Sequence, residues 1–147
     1  EFTKNSTISK IGAKEVAAEK KRLEAMMGDG GDATASLTQN LQAAMWQNVG
    51  IIRNGKGLAE TLNKINEICA QAKDVRAADV QGLMRRLELD NLLLVGEMVT
   101  RAALTRTESR GAHFREDFPA EDEKWKANLF IASKNGAMSI EKKAVNS

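Results

Sequence analysis

The sequence predicts an all-α fold: an up-down antiparallel helical bundle of three main helices, spectrin-repeat-like, with an N-terminal helix and a small C-terminal β-hairpin. Three observations carry this. Apolar residues recur at spacings of three and four along much of residues 10–110, the period of one helix face. The breaks between the long helices are short, which makes successive helices antiparallel neighbours. After Pro119 the pattern turns strand-like over Asn128 to Ser133, and Asn135-Gly136 follows, a two-residue turn signal whose positions both take positive φ.

The elements follow in order. Residues 1–8 lack periodicity and are expected to fray. Lys10 to Met27 read as a helix with Ser9 as N-cap and Ala13, Val16, Ala17, Leu23, Met26 and Met27 on its apolar face. Gly28-Asp29-Gly30-Gly31-Asp32 breaks it. Ala35 to Asn54 read as the second helix, with Leu37, Leu41, Met45, Val49 and Ile52 on one face and Trp46 at its edge, best explained by core or interface burial. Asn54-Gly55-Lys56-Gly57 reads as a stop. Leu58 to Val75 is the third helix, with Leu58, Leu62, Ile65, Ile68, Cys69 and Ala72 inward.

Gly82 to Arg110 is the longest helix. Its main stripe is read as Leu83, Leu87, Leu94, Met98 and Ala102, widened by Leu92, Val95, Val99 and Ala103 so that cover on more than one side is expected, and Gly96, Ala102 and Ala103 permit close helix approach. The expected core is Leu41, Met45, Leu62, Ile65, Leu87, Leu94 and Met98, with Leu94→Ala costing about 2–5 kcal/mol. Trp125 is an anchor ahead of the hairpin, which must dock on something because an isolated hairpin is marginal in water. The chain thus divides into 1–34, an N-terminal helix and Gly-rich linker; 35–118, the bundle; and 119–147, an extension with the hairpin.

Composition bounds the function. With 42% hydrophobic and 29% charged residues, the 147-residue chain suits one globular core. A formal net charge of +2, with basic and acidic residues interleaved, gives no argument for nucleic acid. Lys20-Lys21-Arg22 lies beside Glu19 and Glu24 and reads as a solvated helix face. A lone Cys69 excludes an internal disulfide and a Cys-rich metal site, and suits a reducing, cytoplasmic setting. No apolar run approaches the ~20 residues of a membrane span, so direct membrane insertion is not expected. The opening Glu1-Phe2, a dipeptide that a common cloning site encodes, reads as the start of an excised domain.

The chemistry concentrates in Arg106-Thr107-Glu108-Ser109-Arg110-Gly111-Ala112-His113-Phe114-Arg115-Glu116-Asp117-Phe118-Pro119, which holds the only His. Gly111 is suited to end the preceding helix in the left-handed conformation. The guanidiniums of Arg106, Arg110 and Arg115 suit bidentate binding of carboxylate or phosphate. Ion pairing with Glu108, Glu116 and Asp117, or anchoring to a neighbouring domain, competes with that. His113 could act in proton transfer if a carboxylate lay within reach; a backbone-bonded structural His is the simpler reading.

Thr107 to Pro119, with Leu41 to Asn54 and Glu88 to Glu97 upstream, resembles the succinate dehydrogenase/fumarate reductase flavoprotein family in its C-terminal domain, in family order over residues 35–130. L-aspartate oxidase is the nearest rival, and Ala112-His113-Phe114-Arg115-Glu116-Asp117 sits nearer the dehydrogenase and reductase pattern. Thiol-linked fumarate reductases and adenylylsulfate reductase are further relatives. The resemblance implies an FAD-dependent parent that interconverts succinate and fumarate and passes electrons to an iron–sulfur subunit. It implies partners in the FAD-binding and capping domains of the same chain, and a location that is cytoplasmic or peripheral on the inner face of the membrane.

This chain carries no strand followed by Gly-x-Gly-x-x-Gly, so FAD is expected in the parent and not in this part. No residue here is expected to be catalytic, to bind cofactor or to ligate metal. Arg106, Ser109, Arg110, His113, Arg115 and Asp117 are then candidates for contact with a domain or partner, with Arg110 and His113 exposed and mobile. A standalone helical interaction module is the alternative from a different class.

Overall fold

A computed structural model describes residues 12–29 and 33–145. It is broadly helical, with four helices and a C-terminal strand pair: α1 (Ala13–Glu24), α2 (Ala33–Asn48), α3 (Gly55–Ala72), α4 (Val80–Thr105), β3 (Ala127–Lys134) and β4 (Ala137–Ala144). Two short strands, β1 (Ile52–Arg53) and β2 (Phe114–Arg115), form a parallel pair that the sequence pattern does not reveal. Two-residue strands carry no period to detect.

Helices α2, α3 and α4 pack on one another around Leu37, Leu41, Ile65, Ile68, Ala72, Leu89 and Leu93. Each of the Leu and Ile side chains taken from water stabilises by roughly 1.5–3 kcal/mol before the entropy of ordering it is counted. A smaller cluster of Val49, Leu58 and Ala103 closes the end nearest the signature. Gly96 lies on the packed face of α4, where a Cβ would meet Met45, Ile65 and Leu41 at 3.5–3.6 Å, ordinary van der Waals contact, so the close approach does not require a glycine there.

The stripe of α4 is not the one expected. Leu89, Leu93, Gly96, Thr100 and Ala103 face the core, whereas Leu94 is 53% exposed. Leu92 to Val95 is an unbroken apolar run, so periodicity there fits several faces. The true face also contains Thr100, whose hydroxyl donates to the Gly96 carbonyl at 2.7 Å and so enters the core without an unmet donor. Leu62, Leu87 and Met98 are half-buried, and Leu41 and Ile65 are core.

Helix ends also move. The expected stop at Asn54 is instead a start: its side chain accepts from Gly57 N at 2.8 Å and caps α3. Asp79 caps α4 in the same way. Because α2 ends at Asn48, Ile52 leaves the helix face and is exposed, as is Trp46 at 88%. Trp46 is therefore not core. Helix α1 is shorter than expected and buries none of its residues; its proposed cap, Ser9, lies outside the described residues. Arg22 pairs with Glu19 and Lys20 with Glu24, as a solvated face should. The hairpin forms in the expected place, with Asn135 and Gly136 at φ 53° and 77°.

Candidate functional site: the signature loop

The loop begins well before the glycine that the sequence marks as a stop. Helix α4 ends at Thr105, and Arg106 is already extended. Gly111, at φ 57°, serves instead a tight turn in which Arg110 and His113 exchange backbone hydrogen bonds of 2.8 and 3.0 Å.

Arg115 is 2% exposed and is the hub. Its Nη1 donates to the carbonyls of Ala103, Leu104 and Arg106 at 2.8, 3.2 and 3.1 Å, carbonyls that the end of α4 leaves without helical partners. A cation there also suits the helix dipole. Its Nε and Nη2 grip Asp117 bidentately at 2.8 and 2.7 Å. Asp117 in turn accepts from Gly55 N at 3.0 Å, at the start of α3. One ion pair thus joins the negative end of α4 to the positive end of α3. The paired guanidinium, with the Gly55 amide, holds the Asp117 carboxyl down at about 2. Gly55 has no room for a side chain, since a Cβ would lie 2.9 Å from the Asp117 carboxylate.

A second hub is Glu108, fully buried. It accepts from Arg110 at 3.0 and 3.1 Å, from Asp122 N at 2.9 Å and from Arg106 Nη1. The Arg110 bonds, then the Asp122 amide and Arg106, bring its carboxyl down to about 2. Arg106 also donates to the carbonyls of Trp125 and Ala127 at 3.1 and 2.6 Å, which fixes the root of β3. Trp125, 8% exposed, donates from its indole to Thr107 at 2.9 Å and lies between Arg106 and Lys142 at 5.2 and 3.8 Å from the ring centre. This is what the hairpin docks on. Ser109 Oγ donates to Phe118 O at 2.8 Å and accepts from Arg115 N at 2.8 Å, closing the loop on itself.

His113 lies half-buried between the strands. Arg53 Nη1 donates to its Nδ1 at 2.7 Å, and its Nε2 is buried with no hydrogen-bond partner among the described residues. Burial and the Arg53 charge push the imidazole below its ordinary value.

All six candidates therefore come together around the end of α4, but Arg110 and His113 are not exposed as expected. Glu121 and Arg53, and the backbone of Asp122, join the network from outside the signature segment. The guanidiniums of Arg106, Arg110 and Arg115 direct most of their donors to the chain's own acceptors, Arg110 pairing also with Glu121 at 3.1 Å. Among the described residues no group of His, Cys, Asp and Glu has metal-site geometry, and no helix is long and apolar enough to cross a membrane.

The family model described as the fumarate reductase flavoprotein C-terminus matches residues 38–147. The chain belongs to that family. An uncharacterised FAD-dependent oxidoreductase of Methanocaldococcus jannaschii is 41% identical over 135 residues, covering 91% of this chain and 25% of the relative. A CoM/CoB fumarate reductase subunit from Methanothermobacter marburgensis is 34% identical over 123 residues, covering 81% of this chain and 22% of the relative. The FrdA protein in E. coli quinol fumarate reductase superposes with a TM-score of 0.83 at 26% identity, over 93% of this chain and 26% of that one. The chain thus spans about a quarter of the length of the relatives it matches. In this flavoprotein C-terminal domain the signature is an internal brace that ties α3, α4, β1 and β3 together.

Proposed function

We propose that this domain supports an FAD-dependent flavoprotein that interconverts succinate and fumarate and delivers electrons to an iron–sulfur subunit. The domain itself buttresses the FAD-binding and capping domains of the parent, with α2 to α4 as an up-down bundle, and carries no redox step. FAD is held by the parent's other domains. Any membrane association is peripheral, on the inner face, through partner subunits. Within the signature, Arg106, Ser109, Arg110, Arg115 and Asp117 set the loop's shape. With His113 they present Gly111, Ala112 and Phe114 to the neighbouring domain.

The single observation that supports this reading is an inversion of the usual pattern: the loop's charges are internally satisfied while large apolar side chains face outward. Trp46, Ile51, Ile52, Leu94 and Val95 are all more than half exposed. Apolar groups left outside in this density mark contact surfaces.

The test uses the full-length parent and this chain side by side. The parent should carry flavin and turn over succinate or fumarate, and the chain alone should be colourless after gel filtration. Turnover of L-aspartate and not succinate would move the assignment to L-aspartate oxidase. Stoichiometric flavin on the chain alone would overturn the supporting role.

A further inference from the structure

Among the described residues the charges that act on His113 are cationic. Arg53 approaches from β1, Arg106 from the end of α4 and Arg115 from its own strand, and all three act against a charge on the ring. Arg110 and Lys126 line the hollow beside it. The carboxylates of the loop are engaged elsewhere: Glu108 by Arg106 and Arg110, Asp117 by Arg115, and Glu116 by Asn54 at 2.9 Å. A guanidinium has no acceptor, so the 2.7 Å contact with Arg53 requires a bare Nδ1 and puts the proton on Nε2. A proton added to Nδ1 removes that bond and sets two cations against each other.

The contact spans the parallel pair. Phe114 N donates to Ile51 O at 3.1 Å and Glu116 N to Arg53 O at 2.8 Å, and Arg53 Nε also holds the Gly50 carbonyl. We propose that the Arg53–His113 contact is a pH-sensitive clip, which joins the α2–α3 connection to the signature loop and opens when His113 takes up a proton. Opening frees β1 from β2 and separates the exposed pair Ile52 and Phe114, which sit opposite each other in register.

This is the chain's single His, so its ring resonances report one site without assignment by mutation. The titration midpoint should lie below the ~6.5 of a free imidazole, and Arg53→Gln should raise it. Amide hydrogen exchange should show the second half of the clip. As pH falls from 7.5 to 5, Phe114 and Glu116 should lose protection by about tenfold for each unit by which the midpoint is depressed, after correction for intrinsic exchange. Leu93 and Thr100 should not change. A midpoint at or above the free value overturns the proposal, as does protection at Phe114 and Glu116 that tracks the core. If Arg53→Gln does not fold, the wild-type titration and exchange still decide.

Discussion

The bundle core and the signature loop hold the same domain together by opposite means. Between α2, α3 and α4 the contacts are mainly apolar, with Arg86 donating to the Ala72 carbonyl and Asn48 to Thr61 as polar exceptions, and losses at the apolar positions are graded by volume and area. In the loop the contacts are polar and buried, built on Arg115–Asp117 and on Glu108 with Arg106 and Arg110. A network of that kind fails as a unit, because a deleted partner leaves another charge buried without compensation. The chain stays folded through shape in one region and through complete pairing in the other.

The largest expected effect attacks the network at its hub. Arg115→Ala removes three carbonyl contacts and the partner of Asp117 together, and should cost about 3–5 kcal/mol in denaturant melts. A loss under ~1 kcal/mol would mean that water replaces the guanidinium and that the loop is not a brace.

The core comes next, and adjacent residues sharpen the contrast. Leu93→Ala, at a 4% exposed position, should cost about 2–5 kcal/mol. Leu94→Ala should cost less than ~1 kcal/mol, since its side chain is half in solvent. Equal losses would put both faces of α4 under cover.

The last effect is a slope against pH, which leaves stability at neutral pH unchanged. Glu108 and Asp117 are held at about 2 in the folded chain, against 4.5 and 3.8 as ordinary carboxyls. The unfolded chain therefore takes up their protons first on acidification. Their contribution is complete above pH ~4.5 and is lost as pH falls from there towards ~2. Glu108→Gln should flatten its share of that limb in thermal melts, whereas Leu93→Ala should lower stability without changing the slope.

How much of this is legible in the sequence depends on the range of the interaction. Leu37, Leu41, Leu58, Ile65 and Ile68 are readable because α2 and α3 each present one apolar face. On α4 the reading picks a face one position off, since Leu92 to Val95 offers no polar residue to set the phase. The caps at Asn54 and Asp79 are local signals, and Asn54 reads as a stop because the glycines after it dominate. The signature is recognisable as a motif, but its role is not readable. Glu108 is two residues from Arg106 and Arg110, yet Asp122, Trp125 and Ala127 complete the network from the far side of the loop.

By itself the sequence determined the helical class, the hairpin at Asn135-Gly136, the family resemblance and the residues on which the chemistry would centre. Those depend on period, turn stereochemistry and short motifs, all local properties of the chain. Only the tertiary structure decided which way the charges point. Whether Arg110 and Arg115 reach outward to a ligand or inward to their own chain depends on acceptors brought from Ala103, Asp117 and Glu121, and those acceptors at hydrogen-bond distance turn most of the five N–H donors of each guanidinium inward.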